Sequence, residues 1–288
     1  PKKAMVICFG TGNTTGTVSL FPEVQVDGIE IDKNVLSLAH HFSKWNHNAQ
    51  KNKNIHMYIQ DGRTFTRWTQ NKYDVITLEP MSPIQAGTVN LYSREFYQLS
   101  AERLNKDGLM MQWLPLHLVG PDDAKSILKT FQEVYPHTSI WNSFLTRIVL
   151  LVGSKEEIAL DKIRFEELMR VPEIQNSAQQ IGINTFLDFT DFFLTDANKV
   201  NSFMKNADLI TDDRPLLEFS PATLLPPLKL EVDETFLNYL KYRIRNYPQV
   251  RGMMPSEKRR WKKDFRTRTA QRLSVFSQRY HGPGESAF

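Results

Sequence analysis

Short apolar runs alternate with helix-like stretches along the first 154 residues of the chain. The apolar runs have the length of buried strands and lie at 4–10, 24–32, 54–62, 73–80 and 108–116. Apolar residues with helical spacing lie at 35–45, 93–104 and 122–136. Two more runs are joined by a tight turn and predict an antiparallel pair, at 138–144 and 147–154. This alternation predicts an α/β fold with a doubly wound, mostly parallel sheet of seven strands and helices on both faces.

The chain is expected to have three parts. Residues 1–154 form the α/β domain, 155–228 form a mostly helical extension that carries the sequence TDDRP, and 229–288 form a basic helical tail. The tail holds 14 Lys and Arg against 6 Asp and Glu, so its charge of +8 exceeds the +4 of the whole chain. A solvated face or linker is one interpretation of the tail, and a surface for nucleic acid or a membrane is the other. Trp261 and Phe265, four residues apart, suit packing as well as surface docking.

Composition places the chain among ordinary globular proteins. It has 288 residues, of which 41% are apolar and 24% charged, and this length can bury a full core. No apolar run reaches the roughly 18–20 residues that span a bilayer. The single cysteine, Cys8, excludes an internal disulfide framework and is expected to be a buried small hydrophobe. A reducing compartment follows, either the cytoplasm or the cytoplasmic side of a membrane-attached protein.

A glycine-rich turn, ICFGTGNTTG at 7–16, follows the first expected strand. Gly10, Gly12 and Gly16 permit a tight turn and let backbone N–H groups approach a ligand, with Asn13 between them. Thr15 stands where a dinucleotide fingerprint needs glycine. The turn also lacks the Gly-Lys-Ser/Thr of a phosphate-binding loop. An ordinary strand-to-helix turn is the alternative.

Acidic residues end the next two expected strands. Glu30, with Asp32 after it, stands 20 residues beyond Gly10. A carboxylate at this place can accept hydrogen bonds from both hydroxyls of a ribose. Asp61, followed by Gly62, stands where a carboxylate can accept the amino group of adenine. Glu30 alone is a weak signal that NAD enzymes share, and Asp61-Gly62 alone can be a turn. Together with the glycine turn they predict an adenosine site at the carboxyl ends of the strands.

Further polar residues surround this predicted site. Glu79 ends the fourth strand and would face whatever the adenosine carries, although a solvated acid at a strand end is the alternative. Asp212 and Asp213 can supply acids if TDDRP folds over the pocket, or they form a capped turn in which Arg214 pairs locally. Candidate substrate contacts that can equally be turn or core residues are Ser82, Tyr92 and Gln112. No cluster has the spacing of a metal site, so no metal is expected.

The order of these segments resembles the spermidine synthase family of aminopropyltransferases. The matching stretches are ICFGTGNTTG, EID, QDGRTF, YDVITLEPMSP and NLYSREFYQLSAERLNKDGLMMQWL, within about residues 1–222. The narrower resemblance is to the branch often fused to membrane segments or helical repeats, in which TDDRPLLEF also recurs. The resemblance implies a class I methyltransferase-like Rossmann fold and decarboxylated S-adenosylmethionine as the donor. It says little about the tail.

The resemblance also implies roles for single residues. Glu30 would hold the ribose, Asp61 the adenine, and Glu79 would take the place of the acid that helps deprotonate the attacking amine. Two departures matter: Asn13 replaces an aspartate that grips the aminopropyl group, and Ser82 replaces a second acid of the fourth-strand motif. Because acids repay the desolvation of a polyamine, their loss weakens the polyamine interpretation. Methyl transfer from S-adenosylmethionine and a non-catalytic nucleoside-binding role remain open alternatives, whereas an NAD oxidoreductase fits poorly.

Expected partners follow from the same resemblance. The substrate is expected to be a small-molecule amine. Family members carry a β-rich or membrane part before the glycine turn, so we expect residues 1–288 to be the C-terminal portion of a longer chain. That additional part usually supports oligomers, which makes a homodimer an open expectation.

Overall fold

The computed structural model describes residues 1–80, 82–143 and 147–281. Its strands are β1 (Lys3–Ile7), β2 (Gln25–Glu30), β3 (Ile55–Ile59), β4 (Tyr73–Leu78), β5 (Leu104–Pro115), β6 (His137–Asn142), β7 (Ile148–Ser154), β8 (Ala159–Asp161), β9 (Phe193–Asp196) and β10 (Gln249–Arg251). Its α-helices are α1 (Asn13–Val18), α2 (Lys33–Leu38), α3 (Gly62–Trp68), α4 (Arg94–Arg103), α5 (Pro121–Val134), α6 (Lys162–Leu168), α7 (Pro172–Gln180), α8 (Phe186–Asp191), α9 (Lys229–Tyr242) and α10 (Pro255–His281).

A large mixed sheet forms the centre of the molecule, in the order β3-β2-β1-β4-β5-β7-β6-β9. The first five strands of this order pair in parallel, and β7 lies antiparallel to both β5 and β6. The predicted α/β fold class and the antiparallel pair are therefore confirmed. An eighth strand, β9, comes from the extension that was expected to be mostly helical, and it pairs antiparallel with β6.

The carboxyl ends of the parallel strands meet at one edge of the sheet. Ile7, the last residue of β1, pairs with Ile29 on one side and with Leu78 on the other. Glu30 at the end of β2 pairs with Ile59 at the end of β3. The turns after these four strands are consequently neighbours, and the candidate site lies among them.

Helices cover the sheet because their apolar residues face it. The side chains of Phe96 and Tyr97 in α4, and of Phe131 in α5, have no accessible surface. Ser93 Oγ accepts a hydrogen bond from the N–H of Phe96 at 3.3 Å, so Ser93 is the N-cap of α4. The predicted helix at 35–45 is shorter, since α2 ends at Leu38 and a 3₁₀ turn follows.

The described part of the predicted tail is mainly helical, with the short strand β10 paired to β8, and it packs onto the rest of the protein. Trp261 and Phe265 of α10 are 6% and 0% exposed and lie in a cluster with Trp141 and Phe193 at the far edge of the sheet. The apolar side of the helix is used for packing, which corrects the alternative that these two residues dock onto an external surface. Residues 282–288 of the expected tail lie outside the described residues.

A buried arginine fixes this C-terminal packing. Arg243 has no accessible surface, donates to the carbonyl oxygen of Asp191 at 2.7 Å and forms an ion pair with the Asp191 carboxylate. Its guanidinium carbon lies 4.2 Å from the ring centre of Phe265. Part of the positive charge of the tail is thereby neutralised inside the protein.

Candidate active site

The glycine turn after β1 uses left-handed backbone conformations. Gly10 and Gly12 have φ of 55° and 82°, values that favour glycine. A Cβ at Gly12 would lie 2.5 Å from the Phe9 ring, and one at Gly16 would lie 2.0 Å from the carbonyl oxygen of Asn46. At Gly10 a Cβ would meet nothing within 4 Å. The turn is thus tightly packed at Gly12 and Gly16 and open at Gly10, where a ligand can approach the backbone closely.

Glu30 is held in one orientation beside this turn. It is 7% exposed, and its two carboxylate oxygens accept separate backbone bonds, from Gly10 N–H at 3.2 Å and from Asp32 N–H at 3.1 Å. Each oxygen keeps room for a further donor. Asp32 itself is exposed and caps α2 by accepting from Asn34 N–H at 2.8 Å.

Asp61 lies at the start of α3, a helix that the sequence did not predict. One oxygen, Oδ1, accepts from Thr64 N–H at 2.7 Å, so Asp61 is the N-cap. A Cβ at Gly62 would lie 2.3 Å from Ile7 Cγ2, so glycine lets α3 start directly beside β1. Asp61 can therefore be a turn residue and a binding residue at once. Its Oδ1 caps the helix, and its other oxygen is left for a ligand.

Cys8 shows that the three predicted acids converge. Burial raises the pKa of its thiol to about 12, and Glu30, Asp61 and Glu79 add to this increase by their negative charge. The thiol therefore stays protonated and is not a nucleophile. Its φ of 68° makes Cys8 another left-handed position of the turn.

Glu79 faces the glycine turn across the end of the sheet. Thr14 Oγ1 donates to Glu79 Oε1 at 3.0 Å. The side chain keeps access to solvent, yet the protein around it raises the pKa of its carboxyl group, against the lowering effect of the Thr14 bond. The pKa is raised because protein atoms around the carboxyl group displace part of its hydration, although the side chain as a whole is exposed. A carboxylate with a raised pKa can exchange protons nearer to neutrality.

Tyr92 and Gln112 have no accessible surface, as the core alternative for these two residues predicts. Gln112 accepts a long bond of 3.4 Å from Tyr97 and donates to a backbone carbonyl, within the core. The hydroxyl groups of Tyr92 and Ser82 are buried and have no hydrogen-bond partner among the described residues. Strand-end position alone did not separate core residues from site residues.

The TDDRP turn lies against α3 and α4. Both carboxylate oxygens of Asp212 accept from the guanidinium group of Arg63, so the negative charge of Asp212 is already paired and attracts a substrate ammonium less than a free carboxylate would. Asp213 is exposed, and its carboxylate forms no hydrogen bond or ion pair with another described residue. Arg214 pairs locally with Asp208 at 3.3 Å, as the turn interpretation predicts.

Sequence reasoning missed Thr14 and Arg63. Thr14 lies in the glycine turn after β1 and donates to Glu79, which follows the neighbouring parallel strand β4. Arg63 directly follows Asp61-Gly62, and its charge beside a predicted binding turn was the available signal. Within the described ranges, no group of three or more His, Cys, Asp or Glu side chains is placed to hold a metal ion. Nor does the described part contain a helix that is both long and apolar enough to cross a membrane.

The fold and the site define an α/β protein with converging acids beside a glycine turn at the carboxyl ends of parallel strands. Residues 1–153 match the family model of the spermine/spermidine synthase domain. The chain therefore belongs to the spermine/spermidine synthase family. The comparisons do not bear out the narrower resemblance to a branch fused to membrane segments.

Curated relatives agree with this family, and a solved structure shares the fold. A polyamine aminopropyltransferase of Clostridium perfringens is 29% identical over 147 residues, which are 50% of this chain and 52% of that protein. One from Methanocaldococcus jannaschii is 26% identical over 208 residues, 69% of this chain and 70% of that one. The chain spans about half the length of most of the relatives it matches first. A probable spermidine synthase from Corynebacterium glutamicum has the same fold, with a TM-score of 0.50, 18% identity and 73% coverage of each chain.

Proposed function

We propose that this chain binds an S-adenosyl sulfonium compound, with decarboxylated S-adenosylmethionine preferred, and transfers its aminopropyl group to a small amine. The observation that carries the proposal is the pair of hydrogen bonds that tie Glu30 and Glu79 to the glycine turn, from Gly10 N–H at 3.2 Å and from Thr14 Oγ1 at 3.0 Å. Asp61 caps α3, which starts directly beside β1. Glu30 accepts hydrogen bonds from the ribose hydroxyls, and the Asp61 oxygen that does not cap α3 accepts one from the adenine amino group. The backbone of Gly10–Gly16 lies beside the nucleoside.

The proposed reaction needs little from the protein beyond alignment and one base. The nitrogen of a neutral amine attacks the carbon next to the sulfonium, and the carbon–sulfur bond breaks. Its electron pair stays on sulfur, which leaves as a neutral thioether. The proton released by the attacking nitrogen goes to Glu79 and then to solvent. Holding the two reactants in line supplies a large part of the acceleration, and proton removal supplies the rest.

The acceptor interacts with a site that carries few free acids. Asn13 is neutral, Ser82 presents a buried hydroxyl, and Asp212 is paired with Arg63. Asp213 is the acid of the turn that remains available. A short amine with one further cationic centre therefore fits better than a long polyamine, because fewer ammonium groups need compensation.

Methyl transfer is the second candidate. The absence of an acid at Asn13 favours it, since an aspartate there would repel the carboxylate of intact S-adenosylmethionine. The same fold and adenosine contacts would serve either donor, and the group that faces position 13 separates them.

Calorimetric titration tests the choice of donor. The chain is titrated with decarboxylated S-adenosylmethionine, S-adenosylmethionine, methylthioadenosine and NAD, and product formation with a series of amines is followed by mass spectrometry. We expect the decarboxylated donor to bind more tightly than the carboxylated one and to yield an aminopropylated amine. Preference for the carboxylated donor supports methyl transfer, and binding of NAD alone contradicts the proposal.

A further inference from the structure

Arg63 joins its own helix, α3, to two other segments of the chain. Its Nη1 donates to the carbonyl oxygen of Asn90 at 3.1 Å, to Ser93 Oγ at 3.3 Å and to Asp212 Oδ1 at 2.7 Å. Its Nη2 donates to the other oxygen of Asp212. A guanidinium group suits this arrangement because its donors lie in a rigid plane that fits both oxygens of a carboxylate.

Each of these segments borders a different part of the candidate site. Arg63 stands in the first turn of α3, two residues after Asp61. Asn90 and Ser93 end the connection that leaves Glu79, passes Ser82 and enters α4. Asp212 belongs to TDDRP, 149 residues away along the chain from Arg63. The Arg63 side chain thus joins two sides of the proposed site. It links α3, beside the predicted adenine position, to the 82–93 connection and to the TDDRP turn, which border the predicted amine position.

The surrounding contacts strengthen this junction. Arg94 N–H donates to the carbonyl oxygen of Ile210 at 2.9 Å, and Asp212 N–H donates to Glu95 Oε2 at 3.0 Å. The Arg63 side chain is 14% exposed, whereas that of Asp212 is 39% exposed. A largely buried guanidinium that satisfies four acceptors resists rearrangement better than a solvated surface pair.

Titration supports the same geometry. The Arg63 hydrogen bonds are the largest cause of a lowered pKa of Asp212. The carboxylate therefore remains ionised, and the pair remains intact, at and below the pH where an ordinary aspartate becomes protonated. The contact is present across the pH range in which the proposed base operates.

We propose that the Arg63–Asp212 pair is a positioning clamp that sets the distance between the bound donor and the attacking amine. This inference rests on the proposed function, since it concerns transfer between two reactants. The first acid of TDDRP serves the clamp and the second, Asp213, stays available for an ammonium group. Neither clamp residue touches the reacting atoms. Breaking the clamp lets the connection at 82–93 and the turn at 211–214 move apart from α3.

A double-mutant cycle tests the clamp. Arg63→Ala, Asp212→Ala and the double variant are compared for kcat, amine KM and donor dissociation constant. We expect each single change to lower kcat by roughly ten- to a hundred-fold, since small misplacements of reactants have costs of that order. Donor affinity measured by calorimetry should change less than three-fold, on the order of the error between variants. The double variant should be no slower than either single variant, because both remove the same contact.

Two further variants separate positioning from general stability. Arg63→Lys keeps the charge but cannot bridge both oxygens of Asp212, so its kcat should lie between those of the wild type and Arg63→Ala. Arg214→Ala removes an exposed ion pair with Asp208 from the same turn and should leave kcat unchanged. Amide hydrogen exchange of 87–95 and 210–218 should accelerate in the clamp variants and not in Arg214→Ala.

Different failures give different results. If the wild-type chain transfers no aminopropyl group, the proposed function fails, while hydrogen exchange still tests whether Arg63 holds the three segments together. Additive losses in the double variant, or unchanged exchange at 210–218, overturn the clamp. An Arg63→Ala variant with wild-type kcat overturns its positioning role even if exchange accelerates.

Discussion

Replacing Glu79 by glutamine tests the proposed base without changing the shape of the site. Thr14 Oγ1 donates to Glu79 Oε1 at 3.0 Å, and the amide oxygen of glutamine can accept the same bond. Glutamine keeps the volume of the side chain but cannot take a proton. We expect unchanged donor affinity and a kcat lower by roughly 10²–10⁴-fold, the usual contribution of a general base, or about 3–5 kcal/mol of activation free energy.

The raised pKa of Glu79 also predicts in which direction kcat changes with pH. Desolvation by the protein atoms around its carboxyl group raises the pKa of Glu79, and the Thr14 bond acts in the opposite direction. The base works only when ionised, so kcat should fall as pH drops through this raised pKa, at higher pH than for an ordinary glutamate. Thr14→Ala removes the bond that favours the carboxylate and should move this acid limb to still higher pH. Glu79→Gln should abolish the limb.

Formation of the aminopropylated amine is measured by mass spectrometry in single turnovers from acidic to alkaline pH. Asp74→Asn is the matched control, because Asp74 lies at the opposite end of β4 and bonds to Lys2 and Lys3 N–H. Its kcat and pH profile should equal those of the wild type. A Glu79→Gln variant that turns over normally, or that keeps the acid limb, shows that another group takes the proton.

Two other changes test binding and packing. Asp61→Ala should weaken nucleoside binding in calorimetry, and the lost N-cap of α3 should lower the free energy of unfolding by about 1 kcal/mol; wild-type affinity would show that the adenine lies elsewhere. Phe265→Ala should lower the free energy of unfolding in urea by about 3–5 kcal/mol, because it empties a fully buried site. Phe219→Ala, at a residue that is 79% exposed, should change it by less than about 0.5 kcal/mol. Equal effects of these two changes would contradict the packing of α10.

The sequence allowed the centre of the site to be predicted because strand ends are recognisable locally. Glu30, Asp61 and Glu79 each end an apolar run, and parallel strands bring such ends to one edge. The same reasoning left Tyr92 open between the pocket and the core, since a residue near a strand end can point into the core as well as into a cleft. Burial depends on what packs from the other side, which local pattern does not contain.

Features that depend on distant parts of the chain were not predictable in the same way. β9 has four residues, too few for a clear alternation, and it becomes a strand by pairing with β6. Asp212 was predicted to be either a substrate acid or part of a capped turn, and neither alternative included its partner Arg63, which lies far away in sequence and donates to both oxygens. The packing of the basic tail could not be predicted from its own sequence, because the residues that cover Trp261 and Phe265 lie elsewhere along the chain.

The position of a bound donor tests the central claim most directly. We predict that a crystal structure with decarboxylated S-adenosylmethionine has the ribose on Glu30, the adenine beside Asp61 and the sulfonium facing Glu79, above Gly10 and Gly12. A donor bound at any other place on the chain would contradict the proposed site, its base and the clamp together.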